Sequence, residues 1–321
     1  MLIFSEISAD ELDNFSKKNP LGNIHQTGMW ARFQEAVPGR GKVIICGVKD
    51  GGILAACGLF VRQKLPMGMC WYFCPRGPMV NSREELDCMI EGLKSLLKKE
   101  KCVFLRIEPE VSVGSLGRNA HAHYFPESTV IVDLSGSEEE ILRQMKPKGR
   151  YNIKVAKSNG VVVKESKDVK AFHRLFVETT GRDGFSGHPV SYYEAMLERL
   201  GDNSKLYLAE LDGEVIAGII VSFYEDVAIY YFGASSNKHR NMMAPYLLQW
   251  TAMLEAKVRG CKSYDLFGIA PDGAKNHPWQ GITDFKLKFG GMRVNYPEAR
   301  EVAMKRFWYW GMRIAKKLAR R

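Results

Sequence analysis

The chain lacks any apolar run of the ~20 residues needed to cross a bilayer, and residues 1–10 carry neither the basic segment nor the apolar stretch of a secretory signal. Those absences predict a soluble, cytoplasmic protein, with peripheral contact to the inner face of an anionic membrane left open. Cysteine is scarce and unpaired. There are seven (Cys46, Cys57, Cys70, Cys74, Cys88, Cys102 and Cys261), and only Cys70 and Cys74 lie close together. No second pair and no histidine cluster completes a zinc site, so neither a disulfide framework nor a structural metal is expected. Buried free thiols in a reducing compartment are the simpler account. No Ser-His-Asp or Cys-His constellation is legible, and no cofactor is implied.

Acid is missing from one long stretch. Residues 143–164 read RQMKPKGRYNIKVAKSNGVVVK, with seven basic residues and no carboxylate. Arg150, Lys154 and Lys157 fall at helical spacing on one face, joined by Lys146 and Lys148 just upstream. Such a face can follow a phosphate backbone, and Tyr151 offers a ring for stacking on an unpaired base. A solvated helix linking two domains fits the same composition, and both readings stay open. The whole chain of 321 residues carries a net charge of +10, which favours a polyanionic partner.

At 321 residues and 45% hydrophobic content the chain can bury two cores, and a weak internal repeat supports that division. Residues 43–56 read as a β-hairpin with an Asp-Gly turn. Residues 206–218 repeat the pattern about 160 positions later, too far for a solenoid. Each hairpin is followed by a strand (70–73 and 228–232), a helix (84–99 and 245–259) and another strand (103–107 and 263–267). Hairpin, strand, helix, strand, twice over, predicts an α/β (α+β) fold of two tandem domains with mixed sheets. The expected bounds are 1–140, 141–297 and a basic amphipathic helix over 298–321. In that helix Ala303, Phe307, Trp310, Ile314 and Leu318 form an apolar stripe among lysines and arginines. It suits either a lipid interface or the protein's own core.

The order of elements resembles the N-acyltransferase fold of the GNAT superfamily. Coenzyme A-dependent members carry a glycine-bearing phosphate loop before the helix of this unit. Here Ser236 to Pro245 has no glycine, and Pro75 to Asn81 has one. A backbone cradle for phosphate favours glycine, so acetyl-CoA is not the expected donor.

Near the end of the chain, Gly281-Ile282-Thr283-Asp284-Phe285-Lys286-Leu287-Lys288-Phe289-Gly290-Gly291 sets a lysine among apolar groups. A partly dehydrated Lys286 would supply a directed positive charge for an oxyanion. A surface lysine on an amphipathic turn is the plainer reading. Together with Gln26 to Gln34, Arg150 to Ala156, Thr180 to Phe185 and Tyr230 to Ser235, this segment resembles the Fem family (FemA, FemB and FemX), essentially over the full length. The absence of a long helical hairpin insertion looks more like the shorter FemX-type members.

The resemblance implies a non-ribosomal peptidyltransferase that moves an amino acid from aminoacyl-tRNA to the stem-peptide amine of a peptidoglycan precursor. The acceptor is a UDP-linked or lipid-linked muropeptide, and the enzyme is expected to be a monomer. By the same resemblance Lys286 and Phe285 are catalytic, Arg182 holds the acceptor's diphosphate, and Trp30, Gln34, Tyr230 and Phe232 line the substrate site. Lys146, Lys148, Arg150, Lys154 and Lys157 then bind tRNA. The sequence departs from the family at Gln34, where lysine is common, and at Phe232, where tyrosine is common. Asp183, Asp265 and Glu108 are candidate bases, though strand-end carboxylates often cap turns instead. The alternatives are a GNAT-like N-acyltransferase with a polysaccharide or protein acceptor, and a non-catalytic tRNA- or membrane-binding relative.

Overall fold

The computed structural model describes residues 1–121, 123–183, 187–274 and 276–318. In chain order the first elements are β1 (Leu2–Glu6), α1 (Ala9–Lys18), α2 (Gly28–Ala36), β2 (Arg40–Asp50), β3 (Ile53–Lys64), β4 (Cys70–Pro75), α3 (Arg83–Leu96), β5 (Cys102–Glu108) and β6 (Arg118–Asn119). Next come β7 (Ser128–Asp133), α4 (Glu138–Gln144), α5 (Pro147–Ser158), β8 (Val162–Ser166), α6 (Val169–Asp183), α7 (Val190–Leu200), β9 (Ser204–Leu211) and β10 (Glu214–Tyr224). The chain continues through β11 (Val227–Ser235), α8 (Ala244–Val258), β12 (Ser263–Asp265), α9 (Gln280–Lys286), β13 (Met292–Asn295), β14 (Arg300–Ala303) and α10 (Arg306–Leu318).

Two seven-stranded sheets result, ordered β1-β2-β3-β4-β5-β14-β6 and β13-β7-β12-β11-β10-β9-β8. Both are mixed, with one parallel pair each among the described residues: β4 with β5, and β11 with β12. A parallel pair needs a crossover, and α3 and α8 supply it. The fold is therefore α/β with two mixed sheets, as the repeat predicts. The hairpin turns differ slightly from expectation. In the second copy Asp212 and Gly213 hold positive φ (49° and 81°), the two-residue turn that matches strand twist. In the first, Gly51 and Gly52 take those positions, and Asp50 is still strand, paired with Ile53.

The domain bounds need correction. The chain divides into one unit of Met1–Phe125 with Tyr296–Arg321 and another of Pro126–Asn295. The reason is strand pairing. β7 runs antiparallel to β12 and β13, which carries residues after 125 into the second sheet. β14 runs antiparallel to β5 and β6, returning the C-terminal segment to the first. The last helix is thus part of the first unit rather than a separate element. Tyr309 fixes it there, buried with Val103 and Phe104.

Each unit has its own core. In the first, Ile44, Phe60, Tyr72, Met89 and Leu105 join sheet to α3. In the second, Val132, Ile153, Ile219, Trp250 and Tyr264 join sheet to α5 and α8. All seven cysteines are free thiols, six of them buried. Among the described residues no helix is long and apolar enough to cross a membrane.

Candidate active site in the second unit

The two copies of the repeat differ where their parallel strands end. In the first unit β4 and β5 stay paired to Pro75↔Glu108, and the Gly77 N–H still reaches the Glu108 carbonyl at 3.2 Å. In the second unit the pairing stops at Ile229↔Asp265, although β11 runs on to Ser235. After Asp265 the chain follows β7 instead: Leu266 donates to Val130 O and Ile269 to Ser128 O, at 2.9 and 3.0 Å. A gap opens between β11 and the segment 266–270.

Local chemistry explains the departure. The Asp265 carboxylate accepts from the Phe267 N–H at 2.7 Å, an Asx turn, and also from the Thr129 hydroxyl. Phe267 is then held at φ 59°, a left-handed conformation that no strand continues through. On the other side, a bulge shifts the β10–β11 register between Ile220↔Phe232 and Val221↔Tyr230. The extra residue, Tyr231, breaks the alternation of faces.

Lys286 occupies this gap. It ends α9, which is pinned by Thr283: its hydroxyl accepts from Ala270 N–H at 2.8 Å and donates to Trp279 O at 2.7 Å. The side chain is buried, at 6% exposure. Its Nζ donates to Gly268 O at 2.8 Å and Phe267 O at 3.2 Å, and stands 5.3 Å from the centre of the Tyr230 ring. Burial pulls its pKa down to about 7, against the smaller upward pull of the Asp265 carboxylate. An ammonium has three N–H donors; the third has no partner among the described residues. The arrangement presents an exchangeable proton on a buried nitrogen, held by two carbonyls and one aromatic face.

The other expected residues are placed differently. Phe285 turns into the core, edge-on to Tyr246 (5.0 Å) and Phe289 (5.2 Å), and anchors α9. The bulge sends Tyr230 and Phe232 to opposite faces. Tyr230 joins the α8 side, and Phe232 packs on Tyr193 (5.1 Å) and Phe176 (6.1 Å) of α7 and α6. Phe232 is therefore not beside Lys286.

Arg182, in the last turn of α6, donates to Asn237 Oδ1 at 2.6 Å and to Ser235 O at 3.4 Å. It braces the loop that follows β11. The Asp183 side chain, Gly184 and Phe185 lie outside the described residues.

In the first unit Trp30 and Gln34 both sit on the inner side of α2. Trp30 is wedged edge-on between His25 (4.7 Å) and Phe33 (5.2 Å), and the Gln34 carbonyl accepts from Arg40. Both are at most 3% exposed. Glu108 and Asp265 behave as turn caps. Glu108 accepts from the Tyr124 and Phe125 N–H groups, and burial raises its pKa.

Lys146, which precedes α5, and Lys148, Lys154 and Lys157 on it are exposed. Arg150 is not part of that open face: its guanidinium donates to the Met145 and Leu142 carbonyls at the end of α4. Lys148 lies over the Tyr151 ring at 5.0 Å.

Sequence reasoning missed the turn carbonyls of Phe267 and Gly268 and the pin at Thr283. The signal available was Asp265-Leu-Phe-Gly, a carboxylate two residues ahead of an N–H it can cap. Before α8 the positive φ falls on a residue other than glycine. Met243 takes the left-handed position there, φ 55°.

A sequence model of the FemAB family matches residues 7–133, 115–214 and 212–317. A lipid II:glycine glycyltransferase of Staphylococcus aureus (strain MRSA252) is 23% identical over 376 aligned positions, spanning 88% of this chain and 89% of that protein. The crystal structure of FemX superposes with a TM-score of 0.83 at 20% identity, covering 96% of this chain and 98% of that one. A tandem GNAT protein from the clavulanic acid biosynthesis pathway gives a TM-score of 0.57 at 15% identity, covering 95% and 99%. Both solved structures share the fold. With three matched segments that together run from residue 7 to residue 317, the chain belongs to the FemAB family.

Proposed function

We propose that this protein is an aminoacyltransferase of peptidoglycan synthesis. It takes an amino acid from aminoacyl-tRNA and joins it to the stem-peptide amine of a lipid-linked muropeptide, forming the interpeptide bridge. The single observation that carries this reading is the buried Lys286 ammonium in the β11–β12 gap, with one N–H uncommitted. The similarity to lipid II:glycine glycyltransferases supports the acceptor and makes glycine the first donor to test.

The chemistry needs little more than alignment and charge. The acceptor amine attacks the ester carbonyl carbon, and a tetrahedral oxyanion forms. Lys286 donates its third N–H to that oxygen, in a site where low polarity strengthens the interaction. Collapse forms the amide, breaks the ester C–O bond and releases the ribose hydroxyl, which takes the proton that the amine gives up. The ester is already activated, so holding amine and ester together accounts for much of the acceleration. Tyr230 acts through Lys286, its ring favouring the cation. Arg182 acts by bracing the loop after β11, and Phe285 by anchoring α9. Lys146, Lys154 and Lys157 fit the tRNA phosphates, with Lys148 and Tyr151 beside them.

The test is a transfer assay with radiolabelled glycyl-tRNA and lipid II. Label is expected in the stem peptide, and a Lys286→Met variant is expected to transfer far more slowly. Label reaching only a protein or polysaccharide acceptor would overturn the acceptor assignment. Undiminished turnover in Lys286→Met would overturn the mechanism.

A further inference from the structure

The amphipathic helix α10 is mounted with its apolar stripe outward. Its inward residue is Tyr309, whose ring lies 5.9 Å from Phe104 and whose hydroxyl donates to Glu301 at 2.8 Å. On the opposite side stand Phe307, Trp310 and Ile314, at i, i+3 and i+7, with exposures of 82%, 40% and 58%. Among the described residues no apolar layer packs over this stripe; Trp310 is partly covered by the Arg118 guanidinium. Helices of globular proteins normally bury such a stripe, so its outward mounting needs an occupant.

A second apolar tip lies beside the same small core. The β3–β4 connection, through the turn Pro66–Gly68, packs Leu65 and Met69 on the Val103, Phe104 and Tyr309 cluster that also receives Met312 of α10. Met67 crowns that turn with φ 58° and is 67% exposed.

The unpaired charge around this stripe is positive. Lys64, Arg118, Lys305 and Arg306 have no ion-pair partner among the described residues, and the Arg118 guanidinium stands 4.7 Å from the Trp310 ring. The carboxylates at this edge are engaged: Glu100 with Tyr72 and Arg62, Glu298 with Asn119 and Arg300, Glu301 with Arg106, Tyr309 and Arg313. Two copies meeting through this face would set like charges against each other. A surface of anionic headgroups over acyl chains complements both the rim and the apolar centre, and tryptophan favours that boundary.

We propose that this face of the first unit docks on an anionic lipid bilayer, with α10 lying along the surface and Phe307, Trp310, Ile314 and Met67 entering the headgroup–acyl boundary. The proposal deepens the reading of a lipid-linked acceptor, on which it rests for its purpose. Docking itself is measurable without any acceptor.

The full chain is centrifuged with vesicles of phosphatidylcholine containing phosphatidylglycerol, and with phosphatidylcholine alone. Binding is expected only to the former and is expected to weaken with salt. The triple substitution Phe307→Ser, Trp310→Ser, Ile314→Ser should lower vesicle affinity at least about tenfold. Met67→Asp, on an exposed turn where folding is not at issue, should lower it in the same direction. Failure of the wild type to bind, or equal binding by wild type and both variants, would overturn the proposal. So would a wild-type dimer that the triple variant makes monomeric. Transfer to a UDP-linked acceptor, measured in parallel, reports the chemistry alone. Retained transfer with lost vesicle binding is the expected result for the triple variant.

Discussion

The Lys286 Nζ stands 5.3 Å from the centre of the Tyr230 ring, in a gap that opens because β12 leaves β11 after Asp265. One residue comes from a strand that keeps its direction, and the other from a helix that enters where pairing has ceased. Their meeting sets a buried lysine in the second unit at the point where the first unit's strands stay paired to Glu108; there the buried cation is Arg76, stacked on the Tyr296 ring.

Removing the charge is the direct test. Lys286→Met keeps the bulk of the side chain and is expected to lower kcat on the order of 10²- to 10³-fold, the usual effect of losing one oxyanion donor. Unchanged circular dichroism would show that the loss is chemical.

With its pKa near 7, Lys286 in the proposed oxyanion role predicts a falling limb of activity. As pH rises through about 7 the free enzyme loses the cation, while the acceptor amine becomes a better nucleophile. A bell-shaped kcat/KM profile is expected, and Lys286→Met should lose the descending side. An activity that rises through 7 and stays level would make Lys286 a base instead.

Stability follows the same group with its own sign. The folded state releases this proton at lower pH than the unfolded chain does. Between pH about 7 and 10.5 the unfolded state therefore binds more protons, and the contribution of Lys286 to stability improves as pH rises. Its full penalty, on the order of 5 kcal/mol, is present below about 7. The Tm advantage of Lys286→Met over wild type should shrink from pH 7 to pH 9.5, measured by calorimetry.

Tyr230→Leu removes the ring face and is expected to reduce kcat by about 1 kcal/mol in barrier, roughly fivefold. Tyr230→Phe keeps the face and should retain most of the rate. If the two variants fall equally, the hydroxyl and not the ring is what matters.

Substitutions on α5 test the proposed tRNA contact apart from folding. Lys154→Glu with Lys157→Glu should weaken tRNA binding and flatten its dependence on salt. Arg150→Ala should instead lower Tm by about 1 kcal/mol equivalent, because its guanidinium satisfies carbonyls at the end of α4. Filter binding over a salt series and thermal melts distinguish the two.

Much of the architecture was legible because it depends on neighbours in sequence. Asp212-Gly213 turns where a two-residue hairpin needs positive φ, and alternating apolar residues make β9 and β10 wherever they fall. The candidate site was legible only in part. Phe285 and Lys286 are adjacent, yet a helix sends them in different directions, one to the core and one to the gap. Tyr230 and Phe232 read as one face of a strand until a bulge at Tyr231 parts them.

The sequence by itself determined the repeat, the turns, the acid-free basic helix and the amphipathic stripe of α10, since each follows from local periodicity and residue chemistry. Only the tertiary structure decided that Lys286 is buried beside Tyr230, that β7 and β14 join the sheets they do, and that the stripe of α10 faces outward. Those outcomes depend on which surface each element is packed against, and that surface is built by residues far away along the chain.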